Sequence, residues 1–251
     1  MKLLVLACVV CVALSQTAPN LQGTWYTRTA SGDIPPAITS YSWPAVTSAF
    51  DSVYAISGYS NMTYRYDHHT ATWTKLVATP SGLRFRAADL IYTAGNLVLF
   101  GGKTANGFDN TMYTLSVNNP TVWTPRINIG TTPPSRNGHT FTLVNGVVYL
   151  IGGWNEQQYF NGVWASDISE LVSTGAATST WTQVIPEITG AALFHARNGH
   201  TVTVYENRMY LFGGFWHNVQ AGGAYTNCLP EAECTWFQDT WTWTVPSGMP
   251  Q

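Results

Sequence analysis

Two Arg-x-x-His pairs, Arg136 with His139 and Arg197 with His200, stand in nearly identical surroundings: RNGHTFTLVNGVVYLIGGW from Arg136 to Trp154 and RNGHTVTVYENRMYLFGGF from Arg197 to Phe215. Imidazole is the side chain best suited to acid–base work near neutral pH. A catalytic group, however, is needed once, and these recur at equivalent positions, which argues for architecture. The histidines outside the pairs are His68, His69, His195 and His217. His68 and His69 fall in a turn between two strands, away from the other two. Cys228 and Cys234, in CLPEAEC, have only His217 nearby as a third metal ligand, short of the four Cys or His groups that a structural zinc site takes. No Ser-His-Asp order, carboxylate pair or phosphate loop stands out. The residues imply no metal and no cofactor.

The elements that must position these residues are short strands. Four apolar segments each end in a pair of small residues: VYAISGY at Ser57 and Gly58, LVLFGGK at Gly101 and Gly102, VYLIGGW at Gly152 and Gly153, and MYLFGGF at Gly213 and Gly214. Before the later pairs lie AADLIYT, HTFTLV and HTVTVY, with tight-turn residues such as Asn145-Gly146 or Glu206-Asn207 between. This is a hairpin signal. A loop and a third strand follow each pair, in MTYRYD, TMYTLSV, GVWASDI and DTWTWTV, and in three units Trp73, Trp123 or Trp181 opens a fourth strand. Repetition at this period marks a repeat architecture. The units fall at about residues 34–77, 82–127, 134–185 and 195–246.

Four antiparallel strands per unit, with Gly-Gly closing the second and Trp opening the fourth, resemble the kelch repeat of β-propellers, the superfamily of the galactose oxidase central domain. The resemblance covers residues 16–251; unit two has Arg86 but Asp89 where His would stand, and unit one has neither Arg nor Gly-Gly. It implies an all-β fold, a kelch-type propeller with four recognisable blades. By the same resemblance Arg136, His139, Arg197 and His200 lie at blade contacts as hydrogen-bonded structural groups. Gly101, Gly102, Gly152, Gly153, Gly213 and Gly214 permit close backbone approach. Trp73, Trp123 and Trp181 offer an apolar face to a neighbouring blade and need a partner for the indole N–H. Trp25 is in phase with them but has no blade of its own, while the strand bearing Trp241 and Trp243 has no fourth strand after it. Kelch propellers resemble five- to seven-bladed rings, so the expectation is an open, incomplete propeller whose N-terminal strand around Trp25 does not meet its last blade.

Residues 1–15 read as a secretory signal peptide, with Lys2 before an apolar run from Leu3 to Leu14 and small residues at Ala13 and Ser15. The run is too short to span a bilayer as a stop-transfer helix. The expectation is a secreted chain, without a membrane span after cleavage, in which Cys228 and Cys234 form a local disulfide and Asn61, in NMT, accepts a glycan. Charged residues make up 10% of the chain and the net charge is −2. That leaves no basic field for nucleic acid.

Function on such a platform lies in the loops. Those after Gly153 and Gly214 carry Trp154, Tyr159, Phe160, Phe215, Trp216 and His217, side chains suited to stacking on sugars or anchoring a protein. The reading is a non-catalytic binding or scaffold module for a protein or glycan ligand. One alternative is a carbohydrate-active or copper-radical enzyme resembling galactose oxidase, whose copper needs a single-copy His pair, two Tyr and a free Cys. Another is a truncated propeller without activity of its own.

Overall fold

Hairpins are the unit from which the chain is built, and their turns set the register. The computed structural model describes residues 28–36, 44–57, 60–80, 88–185, 194–217 and 234–245. Blade 1 holds β1 (Ser31–Gly32), β2 (Ala45–Ala49), β3 (Ser52–Ile56), β4 (Met62–Asp67) and β5 (Thr72–Ala78), in the order β1-β5-β4-β3-β2. Blade 2 holds β6 (Asp89–Thr93), β7 (Asn96–Phe100), β10 (Met112–Ser116) and β11 (Thr124–Ile129), with a small hairpin, β8 (Lys103–Thr104) and β9 (Gly107–Phe108), projecting after β7. Blade 3 holds β12 (Thr140–Val144), β13 (Val147–Ile151), β14 (Val163–Asp167) and β16 (Thr182–Ile185). Ahead of β16 the chain forms helix α1 (Ser169–Thr174) and lends β15 (Thr178–Thr180) in parallel to the edge of β11. Blade 4 holds β17 (Thr201–Tyr205), β18 (Arg208–Phe212) and β21 (Thr240–Thr244), with a ribbon of β19 (Phe215–His217) and β20 (Cys234–Trp236).

The β12–β13 hairpin shows why these residues fold so. Its strands are β-branched and aromatic, and Val144 pairs with Val147 around Asn145 and Gly146, whose φ of 51° and 82° are those of a type I′ turn. Glu206 and Asn207, at φ 46° and 59°, close β17–β18 in the same way. Gly152 turns the chain at the end of β13 with φ 62°, and a Cβ there would lie 2.6 Å from His200 Cε1 and 2.9 Å from the Arg197 carbonyl oxygen of the next blade. Only glycine fits that approach.

Three apolar layers join successive blades. The first packs Tyr54 and Ile56 against Leu97, Leu99 and Trp123; the second packs Phe100 and Met112 against Phe141, Leu150 and Trp181; the third packs Tyr149 and Val163 against Met209 and Leu211. Every residue of β13 is therefore buried, since blades cover both of its faces. Among the described residues no apolar layer joins blade 4 to blade 1. Phe212, 50% exposed, lies on the uncovered side of blade 4.

Trp123 and Trp181 are buried, and their indole N–H groups donate to Thr63 Oγ1 at 2.9 Å and to Asn128 Oδ1 at 3.3 Å, each in the preceding blade. Trp73 differs. It is half-buried and rests on Tyr64 and Tyr66 of its own blade, with ring centroids 6.5 and 5.0 Å away. Residues 1–15, expected as a signal peptide, and Trp25, Gly58, Arg86 and Cys228 lie outside the described residues. The described segment nearest Trp25, β1, pairs in parallel with β5 at the outer edge of blade 1.

Candidate functional site

Beneath the loop face lie the two Arg-x-x-His pairs. Arg136 is fully buried, donates from Nε to the Pro134 carbonyl and from Nη1 to the Gly152 carbonyl, and lies 3.8 Å above the Phe160 ring. Its own carbonyl accepts the Gly102 N–H, tying blade 3 to blade 2. Arg197 repeats this with the His195 and Gly213 carbonyls and accepts the Gly153 N–H. It also binds Asp239 through two hydrogen bonds of 2.6 and 2.9 Å. That fork, helped by the Trp241 indole N–H, holds the Asp239 carboxyl down at about 2.

His139 and His200 are buried beside these guanidinium groups, and desolvation first, then the neighbouring arginine, lowers each imidazole to about 3. Both are neutral at physiological pH. His200 Nε2 lies 3.2 Å from Thr140 Oγ1 of blade 3. In blade 2, Asp89 occupies the place of these histidines, and its carboxylate accepts the N–H groups of Leu90 and of Phe141 in blade 3. Burial pushes that carboxyl up to about 6. These groups bond across blade boundaries, His200 to Thr140, Asp89 to Phe141 and the Arg136 and Arg197 carbonyls to Gly102 and Gly153.

Above them the loops after the glycine pairs present aromatic rings. Trp154 is half-buried, bridges Asn137 through the backbone, stacks on Tyr159 at 5.6 Å and 22°, and meets the edge of Phe108 at 5.7 Å. Lys103 and Glu156 rim this cluster with an ion pair of 3.0 Å, the ammonium lying 4.9 Å from the Phe108 centroid. In blade 4 the half-buried Phe215 bridges Asn198 and packs on Trp236 at 5.1 Å. Trp216 and Trp236 are exposed at 36% and 59%. His217 pairs with Cys234 across the β19–β20 ribbon.

One residue expected on the ligand surface belongs elsewhere. Phe160 is 0% exposed and forms the floor on which Arg136 stacks, because a guanidinium sealed between blades needs a π-face where no water reaches it. Phe108, Trp236, Lys103 and Glu156, none of them singled out from the sequence, join the loop surface as well. Phe108 did carry a signal: it follows the Gly101-Gly102 pair at the same point in the repeat as the aromatics after Gly153.

A further cluster lies at the opposite end of blade 1, where Asp51, His68 and His69 converge.

Known proteins share both the repeat and the fold. Residues 45–183, more than half of the chain, match the KLHDC2/KLHL20/DRC7 Kelch-repeats domain. The chain belongs to the kelch-repeat family. It is 30% identical to Kelch domain-containing protein 3 of Homo sapiens over 152 residues, which is 57% of this chain and 37% of that protein. It is 26% identical to Host cell factor 2 of Homo sapiens over 235 residues, 84% of this chain and 28% of that protein. The chain thus spans about a third of the length of these relatives. A solved structure titled "Structure of YjhT" superposes with a TM-score of 0.56 at 18% identity, covering 72% of this chain and 60% of that one, and shares the fold.

Proposed function

We propose that this protein is a secreted, non-catalytic kelch module that binds a protein partner through the loops following its glycine pairs. The observation that carries the reading is the aromatic cluster of Trp154, Tyr159 and Phe108, rimmed by the Lys103–Glu156 ion pair. Large rings at a desolvated centre with charge at the rim are the anatomy of a protein-binding hot spot. Stacked, half-exposed rings also suit a sugar face, so glycan is the second ligand class. Secretion rests on the apolar run from Leu3 to Leu14. Two further expectations go with it: a Cys228–Cys234 bridge that fastens the long loop of blade 4, and a glycan on Asn61, which is exposed.

The test compares variants that leave the blades intact. Wild-type protein and a Trp154→Ala/Tyr159→Ala variant are immobilised, exposed to the medium in which the protein is secreted, and scored by quantitative mass spectrometry, with a glycan array in parallel. We expect a partner retained by wild type to be lost at least about tenfold in the variant, the scale of one hot-spot residue. Equal retention by both would sink the loop-face reading, and array binding alone, lost in the variant, would assign the face to glycan.

A further inference from the structure

We infer that Asp51, His68 and His69 form a binding site for one divalent transition-metal ion of the imidazole-preferring kind, with Zn²⁺ as its type. Asp51 lies in the β2–β3 turn and His68-His69 in the β4–β5 turn. The pairing of Ser52 with Asp67 brings the two turns to the same end of blade 1. One ligand atom from each residue lies within 4.8 Å of the other two.

Two details fit a metal better than a chance meeting of exposed side chains. His68 Nδ1 lies 3.0 Å from the Asp51 carbonyl oxygen. A carbonyl only accepts, so Nδ1 carries the proton and Nε2 keeps its lone pair, the arrangement by which metal-ligating histidines are oriented. His69 Nε2 lies 3.3 Å from Asp51 Oδ1. Two ligand atoms each about 2.0–2.1 Å from a tetrahedral zinc are separated by about 3.3–3.4 Å, so an ion can enter between this pair with little rearrangement.

The turn is held in place from below. Asp67 Oδ1 accepts the N–H groups of His69 and Thr70 at 2.9 and 3.0 Å. Arg28 donates to the His69 carbonyl at 3.3 Å. Phe50, 94% exposed at φ 50°, occupies the left-handed region that bulky side chains avoid, and so presents Asp51 at the tip of its hairpin.

The recurrence that marks Arg136 and His139 as architecture works in reverse here. Gly95, Gly146 and Asn207 hold the position of Asp51 in the other three hairpins, so the carboxylate is not a demand of the fold. Two imidazoles and one carboxylate suit Zn²⁺ with water completing four ligands, whereas Ca²⁺ takes six to eight oxygen ligands.

The test is calorimetric titration of the purified protein with Zn²⁺ alone, followed by Co²⁺ substitution read in the visible spectrum. We expect one ion per chain, tetrahedral Co²⁺ bands, and affinity at least about tenfold weaker in Asp51→Asn and in His69→Gln, ligand loss costing no less than loss of an outer-shell partner. His195→Gln should bind as wild type does. Circular dichroism of the variants checks that the exposed turns still fold. Undiminished binding by Asp51→Asn and His69→Gln overturns the site, as does loss of binding in His195→Gln or Ca²⁺ binding as tightly as Zn²⁺.

Discussion

The layer between blades 2 and 3 and the layer between blades 3 and 4 are built from the same repeat yet finished differently. In the first, Trp181 fills the outer end of the layer, its ring 5.0 Å from Phe100 and its N–H on Asn128. In the second, a recess of about 180 Å³ remains, lined by Ile151, Val163, Phe194, Met209, Leu211 and Trp241. The recess lies beside the position an indole takes elsewhere. Trp123 donates to Thr63, which pairs with Ile56 as Val163 pairs with Ile151. Among the described residues blade 4 has no fourth strand and so no such tryptophan. Among the described residues, the layer that has a fourth-strand indole is filled and the layer without one keeps a recess.

The largest effect should come from making the filled layer resemble the open one. Trp181→Ala should cost about 3–5 kcal/mol in a denaturant titration, since its cavity is walled by Phe100 and Phe141. A loss below about 1 kcal/mol would mean that the indole is not the closing element.

The glycines test the inner side of the same two blades. Gly152 and Gly213 both sit at positive φ, 62° and 70°, but a Cβ on Gly213 would meet nothing nearer than the Phe237 carbonyl at 3.5 Å, against 2.6 Å to His200 at Gly152. Gly213→Ala should therefore cost only the left-handed backbone, about 1–2 kcal/mol. Gly152→Ala should cost about 1–3 kcal/mol more, the usual scale of overpacking. Equal thermal shifts for the two would show that no blade presses on Gly152.

The smallest effect runs the other way. Val163→Ile adds one methylene to the recess and should raise stability by about 0.5–1 kcal/mol, read as a higher unfolding midpoint. Destabilisation would mean that the recess is already occupied.

Much of the scaffold is legible in the order of the residues alone. Asn145-Gly146 announces its turn, the glycine pairs mark where second strands end, and Trp123 and Trp181 find the indole partners their burial demands. The candidate site is legible only in part. Trp154 and Tyr159 stand on the loop face, but Phe160, one residue further, is sealed under Arg136, and nothing in a run of aromatics says which one turns inward. The meeting of Asp51 with His68 and His69 is invisible for a related reason. A histidine pair in one turn and a carboxylate in another carry no signal until strand register aligns them.

What the sequence determined by itself is what local backbone chemistry decides: strands, turn types, glycine positions and the repeat, each set by residues a few positions apart. The tertiary structure alone decided burial. Trp123 is satisfied by Thr63, sixty positions earlier; Phe100 lies fully buried while Phe212, at the same place in its own hairpin, is half exposed. The two residues are identical in kind and in register, and they differ because a further blade packs over one and, among the described residues, none packs over the other. Apolar burial depends on the neighbour that removes the water, and that neighbour is not encoded within the repeat it covers.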